Sequence, residues 1–296
     1  MPSLSIIIPT HRRSEILARC LHHVERQTIA DDLEVIVVSD GHDDKTDTLL
    51  KKKSWHIPVR FLEIPKSQQG VARNRGITAA SAPLVLFIGD DTFLQPDTCE
   101  MHVQTHKQLH AAGHKLLAVL GFTTWDPSAN ITPVMRWLEN SGWQFGYPTI
   151  AQHAHGFIPV KTQHRFTYTS HVSLPTSVAK RYPFREDVSL YGWEDTEWGM
   201  RIRDAGIRLF YEPTAHALHH HHIDLNRSLQ RMETLGKSAV HLQKSVPEFD
   251  RLPSGWKLLA YRCAALIPTI AGKHRRAFLR GIALGSRTNP HPDPKP

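Results

Sequence analysis

Short β-branched runs alternate with segments of helical spacing through the first ninety residues. Leu4–Ile8 and Leu33–Val38 read as buried strands. Between them, Ile16, Leu17, Cys20, Leu21 and Val24 recur at helical steps within residues 14–27. Residues 43–53 read as a second helix, 59–63 as a third strand, 70–80 as a helix and 84–88 as a fully buried strand. The order βαβαβαβ predicts a mostly parallel sheet flanked by helices. Ligands of such a half-fold are expected at the carboxyl ends of the strands.

The pattern loosens over residues 122–170, where Trp125, Trp137, Trp143, Phe145, Tyr147 and Tyr168 lie among Pro, Gly and His. Only Val134 to Leu138 keeps a helical period. Phe166 to Leu174 reads as a strand, and Thr196 to Gly206 as a helix. Leu209 to Tyr211 reads as a strand, with His216 to His222 set apart from it by a turn at Pro213.

Polar residues at the predicted strand ends carry the candidate chemistry. Pro9-Thr10-His11-Arg12 follows the first strand, Ser39-Asp40-Gly41 the second and Gly89-Asp90-Asp91 the fourth. Gln69 to Asn74 opens a helix. A second acidic signature, Tyr191-Gly192-Trp193-Glu194-Asp195-Thr196-Glu197, lies about a hundred residues beyond the first. Paired carboxylates at a strand end suit a divalent cation, and an acidic pair on a glycine-flanked loop can supply a general base. Together they point to a metal–diphosphate leaving group and an activated hydroxyl. The plainer reading makes Asp90-Asp91 a turn and Glu194, Asp195 and Glu197 the acidic start of a helix. Neither GxGxxG nor GxxxxGK[ST] occurs, so a dinucleotide fingerprint and a P-loop have no support.

Charge divides the chain. Residues 225–296 hold 13 Lys or Arg against 4 Asp or Glu, and the rest is nearly balanced at 23 against 24. The basic character belongs to the tail, which argues against a chain-wide nucleic-acid face; no nucleic acid partner is expected. From Trp256, the apolar positions Leu259, Cys263, Leu266, Ile267 and Ile270 keep helical steps, with Lys257, Arg262, Lys273, Arg275, Arg276 and Arg280 nearby. Residues 254–287 therefore suit either a packed helical pair or a helix on an anionic membrane surface. Three scattered cysteines, no charged leader before Leu4 and no long apolar run make a cytoplasmic location the expectation, with peripheral contact at the inner membrane face.

These motifs, in this order, resemble the family-2 glycosyltransferases of the GT-A fold. The matching text runs from Ser5-Ile6-Ile7-Ile8-Pro9-Thr10 through Val37 to Gly41, Gly70 to Gly76 and Phe87 to Asp91. It continues through Gly192 to Glu197, then Arg201, Gly206 and Tyr211-Glu212-Pro213 leading to His219. The resemblance implies an inverting transferase taking a nucleotide sugar, a UDP-sugar by expectation, to a hydroxyl of a glycan or lipid-linked acceptor. It implies that Pro9, Thr10, Arg12, Asp40, Arg73 and Asp90 line the nucleotide site, Asp40 bonding the base. It implies that Asp91 and His219 hold Mn²⁺ or Mg²⁺, that Asp195 is the base with Glu194 beside it, and that Trp193 and His171 meet the acceptor. Gly89 stands where many members have a third aspartate, and His171-Val172-Ser173 replaces a more usual Asn-containing segment. The expected domain spans 1–224 (nucleotide-sugar half 1–121, acceptor half 122–224), followed by a basic helical extension over 225–296. A nucleotidyltransferase or a non-catalytic nucleotide- or sugar-binding module is the rival reading. The first would require a lysine- and glycine-rich loop where Pro9 to Arg13 stands.

Overall fold

The computed structural model describes residues 1–52, 54–187 and 192–287; Tyr191, the first residue of the second acidic signature, lies outside them. The amino-terminal unit runs β1 (Leu4–Thr10), α1 (Ser14–Glu25), β2 (Leu33–Asp40), α2 (Asp44–Lys52), β3 (Val59–Ile64), α3 (Gln69–Ala79) and β4 (Leu84–Ile88). Strand β1 lies between β2 and β4, and all these pairings are parallel. The runs of β1, β2 and β4 are buried on both faces, as crossover helices require, while the edge strand β3 is partly exposed. Leu17, Cys20, Leu21 and Val24 of α1 cover one face, and Ala72 and Ile77 of α3 the other.

The chain then adds β5 (Thr92–Leu94), α4 (Thr98–Ala111) and β6 (Leu117–Trp125). Next come α5 (Pro133–Asn140), the single turn α6 (Tyr147–Ile150), β7 (Gly156–Phe157), the single turn α7 (Val160–Gln163), β8 (His171–Pro175) and α8 (Thr176–Arg181). Helix α9 (Glu194–Asp204) and β9 (Arg208–His219) complete the sheet. Its order is β3-β2-β1-β4-β8-β6-β9-β5, with β7 also on β9. Strand β8 enters antiparallel between β4 and β6, so the sheet is mixed in its second half.

Three expectations for this half shift. The strand expected from Phe166 begins only at His171, because residues 166–170 form turns. Helix α9 begins at Glu194, which places Glu194 and Asp195 in its first turn. The turn expected at Pro213 appears as a bulge within β9, which continues to His219: Glu212 pairs with Gly121 and His216 with Phe122, so Pro213 to Ala215 stand out of the ladder.

Helices α10 (Leu225–Ser245), α11 (Gly255–Leu266) and α12 (Ile270–Arg287) follow. Helices α10 and α12 meet backbone to backbone at Gly236 and Gly281. A Cβ on Gly236 would lie 2.2 Å from the Phe278 carbonyl oxygen, and one on Gly281 would lie 1.9 Å from that of Glu233. The pair docks on the sheet domain through Trp193, whose indole N–H donates to the Leu235 carbonyl at 3.0 Å. Among the described residues no helix is long and apolar enough to cross a membrane.

Candidate active site

The ends of β1, β2 and β4 lie side by side, and their polar termini converge there. The Thr10 hydroxyl donates to Asp90 Oδ2 at 2.7 Å. Arg13 spans both acids, with Nη1 3.0 Å from Asp90 Oδ1 and Nη2 2.7 Å from Asp91 Oδ2. Burial, then the Asp91 charge, lifts the Asp90 carboxyl to about 6, while Arg13 and Thr10 oppose the rise. The Asp91 carboxyl is itself buried, yet His219, His221 and Arg13 hold it well below the usual range.

Strand β9 passes beside β5 and brings its histidines to these acids. His219 Nε2 lies 3.5 Å from Asp91 Oδ1, and His221 Nδ1 lies 3.4 Å from Asp91 Oδ2. One ligand atom from each of Asp91, His219 and His221 falls within a span of 4.8 Å. His220 turns the other way, with Nδ1 2.6 Å from Asp126 Oδ2, and His222 reaches the Ala129 carbonyl at 3.0 Å. Carrying the side-to-side alternation of β9 past its end accounts for the split. The donor set of one carboxylate and two imidazoles fits a divalent cation, and the imidazoles favour Mn²⁺ over the harder Mg²⁺.

Asp40 ends β2, and its carboxylate accepts from Lys66 Nζ at 2.7 Å and from the Ser67 amide at 2.6 Å. Those bonds outweigh its partial burial and depress its pKa. Pro9 is buried within β1. Arg12 takes a left-handed backbone conformation (φ 52°) and is exposed. That turn directs Arg13, rather than Arg12, at the acids.

Asp195, Glu194 and Arg73 form a second group. Arg73 lies on α3, 4% exposed, with its guanidinium 5.6 Å from the centre of the Phe184 ring. Its Nη2 donates to Gln69 at 3.2 Å, but Nε and Nη1 have no hydrogen-bond partner. Burial depresses its pKa, opposed by the charges of Glu194 and Asp195. Burial and the neighbouring Glu194 lift the Asp195 carboxyl to about 7, against the pull of Arg73. The Thr196 amide donates to Asp195 Oδ1 at 2.9 Å, as a helix N-terminus allows.

Two expected acceptor residues point elsewhere. Trp193 faces α10 and stands edge-on to Phe249, ring centres 5.1 Å apart. His171 is wholly buried in β8, 3.1 Å from the Thr123 hydroxyl and edge-on to His102 at 5.1 Å between centroids. A side chain enclosed between strand and helix offers no surface to an acceptor. Conversely, Arg13 and Lys66 escaped the sequence reading, and His221 was not singled out within the run from His219 to His222. Strand alternation from His219 was the available signal for His221; no local pattern marked the other two.

The family model for glycosyl transferase family 2 matches residues 5–168. The chain is 27% identical over 223 residues to validoxylamine A glucosyltransferase of Streptomyces hygroscopicus subsp. jinggangensis, covering 70% of this chain and 53% of that one. It thus spans about half the length of the curated relatives it matches first. Among solved structures, it superposes on the mannosyltransferase PcManGT of Pyrobaculum calidifontis, solved with GDP-Man and Mn²⁺ (TM-score 0.58, 17% identity, 98% of this chain and 77% of that). It also superposes on S. aureus TarS 1-349 with UDP-GlcNAc (TM-score 0.57, 15% identity, 95% of this chain and 82% of that). Those two likenesses establish the GT-A architecture.

Proposed function

The chain belongs to glycosyl transferase family 2, and from that premise we propose that it transfers a sugar from a nucleotide sugar to an acceptor hydroxyl with inversion. The observation that carries this reading is Arg73 beside Asp195. A buried guanidinium with two nitrogens lacking partners calls for an anion, and a donor diphosphate is one. The adjacent carboxyl, lifted to about 7, is poised as a base near neutral pH.

In the proposed reaction Asp195 takes the acceptor hydroxyl proton. The acceptor oxygen bonds to the anomeric carbon from the face opposite the diphosphate. The bond from that carbon to the β-phosphate oxygen breaks, and the nucleoside diphosphate leaves with the electron pair. Glu194, with Oε2 buried and without a hydrogen-bond partner, stands beside the base for acceptor contact. Asp40 accepts from a base N–H, and UDP-sugars, whose uracil offers one, are the donors to test first. Thr10 and Arg13 orient the two acids under the diphosphate. A divalent cation held by Asp91, His219 and His221 would offset charge on the leaving group. The acceptor is a glycan or a lipid-linked molecule.

An anionic membrane surface is the proposed location of that acceptor. On α11 and its carboxyl end, Trp256, Leu259, Leu266 and Ile267 are each more than half exposed. Residues 251–287 hold eight Lys or Arg and no Asp or Glu. Apolar and cationic groups together suit a bilayer interface. Co-sedimentation with anionic vesicles at low salt, lost with zwitterionic vesicles, is expected; protein staying in the supernatant with both would end this part of the reading.

The activity is tested by incubating UDP-sugars, with and without Mn²⁺ and with varied acceptors, and measuring UDP release and product configuration. Metal-stimulated release with an inverted product supports the reading. A product retaining the donor configuration, or nucleotide monophosphate release, refutes it.

A further inference from the structure

A cavity of about 320 Å³ opens beside the acid–histidine cluster. Its wall is largely aromatic, from Phe122, Trp125, Phe145, Tyr147 and Tyr211. Trp125 stacks on His219 with ring centres 5.2 Å apart, and Phe145 stands 5.8 Å from the same imidazole. Phe145 also packs edge-on to Tyr168 at 5.1 Å, and the neighbouring Thr167 hydroxyl donates to the Asp195 main-chain carbonyl at 2.9 Å. The cavity therefore adjoins the cluster at Asp91, with the Thr167-Tyr168 segment standing between it and the base.

Several polar groups of its wall are engaged within the protein, leaving the Asn140 amide and the Tyr211 hydroxyl as its free polar groups among the described residues. Glu139 accepts from the Thr124 hydroxyl and from the Trp125 amide at 3.4 Å. The Gln144 carbonyl oxygen accepts from Arg231 at 2.5 Å. The Tyr147 hydroxyl donates to the Gly121 carbonyl at 2.9 Å, and Thr123 meets His171 at 3.1 Å. Among the described residues, no Lys or Arg lines the cavity. A sugar placed inside would give up water for few partners, and a phosphate would find no counter-ion beside Glu139. An apolar ring loses little on leaving water and gains aromatic contact.

We propose that this cavity holds the body of the acceptor, and that this body is a neutral apolar ring system bearing the reactive hydroxyl. The assignment rests on the glycosyl-transfer reading above and, of its two acceptor classes, sets aside the glycan for a lipid-linked molecule that carries such a ring. A cavity of about 150 Å³ accommodates one benzene ring, so this volume matches roughly two fused or linked rings. The hydroxyl at the open end gives its proton to Asp195 as its oxygen bonds to the anomeric carbon.

The probe is 2-naphthol. Calorimetry in the presence of UDP and Mn²⁺ reads its binding, and product analysis with a UDP-sugar reads transfer to naphthol relative to transfer to water. Ala151 lines the cavity and is exposed at its edge, so Ala151→Leu and Ala151→Trp fill the space from outside the core. Wild-type protein is expected to bind naphthol saturably and to prefer it to methyl glucoside as acceptor. The transfer ratio should fall a few-fold in Ala151→Leu and at least tenfold in Ala151→Trp. No naphthol binding, an unchanged ratio in both variants, or preference for methyl glucoside overturns the assignment. Naphthol binding that is weakened by Ala151→Trp, with no UDP-sugar consumed under any condition, would uphold the cavity and refute the transfer reading instead.

Discussion

Arg13 Nη2 and His221 Nδ1 reach the same oxygen of Asp91, Oδ2, at 2.7 and 3.4 Å. A guanidinium and a candidate cation ligand thus share one carboxylate. Arg13 holds the acid pair together and competes for the position a cation would take. Replacing Arg13 by Gln removes a positive charge next to that position. Mn²⁺ binding, followed by electron paramagnetic resonance titration, should tighten about tenfold, given the screening of a half-exposed charge. Weaker binding in Arg13→Gln would show that Arg13 supports the site.

The alternation of the histidine run separates two phenotypes. His219→Ala and His221→Ala should each lower Mn²⁺ affinity by tenfold or more. His220→Ala should leave that affinity near wild type and instead lower the melting temperature, because His220 holds Asp126 at 2.6 Å and stacks on Phe93 at 5.3 Å. Chelator treatment should silence the wild type and be reversed by Mn²⁺. Equal loss of Mn²⁺ binding in all three variants would contradict the split.

Asp195 must be ionised to accept a proton. With its carboxyl lifted to about 7, kcat/KM should decline as pH falls through that value and level off above it. Arg73 pulls this carboxyl down, so Arg73→Met should move the decline to higher pH, as well as weaken donor binding. Asp195→Asn should lose about 10²- to 10⁴-fold in transfer while UDP still binds. Full activity in Asp195→Asn, or a decline that moves to lower pH in Arg73→Met, would break the assignment.

Three histidines are buried in their neutral form. Burial depresses His102 well below its usual value, His106 to about 4 and His171 to about 3. The unfolded chain binds these protons first as pH falls below about 6.5, so stability drops from there down to the folded values. The loss is about 1.4 kcal/mol per pH unit for each histidine. Between pH 7 and pH 5 the raised Asp195 and Asp90 carboxyls work in the opposite direction, so the histidine contribution is read as a difference between proteins. In urea denaturation, His171→Phe, an apolar ring, should lose less stability between pH 7 and pH 5 than the wild type. An equal loss in both proteins would mean that the His171 imidazole is hydrated in the native state.

The parallel unit from β1 to β4 was legible because each strand is a continuous apolar run and each helix repeats at its own period. Asp40, Asp90 and Asp91 were legible as candidates for the same reason, since each ends such a run. The stretch from residue 92 to 125, holding β5, α4 and β6, left little local signal: β5 has three residues, and α4 buries His102 and His106 among its polar positions. The side chains of Trp193 and His171 turn towards α10 and into the interior, because a sequence motif fixes a residue's place along the chain but not the direction of its side chain.

The sequence by itself determined the periodicity of the strands and helices, the acids at their ends and the family to which those motifs belong. These follow from local covalent geometry and from apolar burial, which neighbouring residues specify together. Tertiary structure alone decided that Arg13 rather than Arg12 meets the acids, that His221 joins His219 while His220 does not, and that Lys66 binds Asp40. It also decided that Phe122, Trp125, Phe145 and Tyr147 wall a cavity at the edge of the core, while Trp137 and Trp143 pack away from it. Such pairings depend on a positive φ, a strand's exit angle and the crossing of elements far apart in sequence, and no short stretch of chain encodes those.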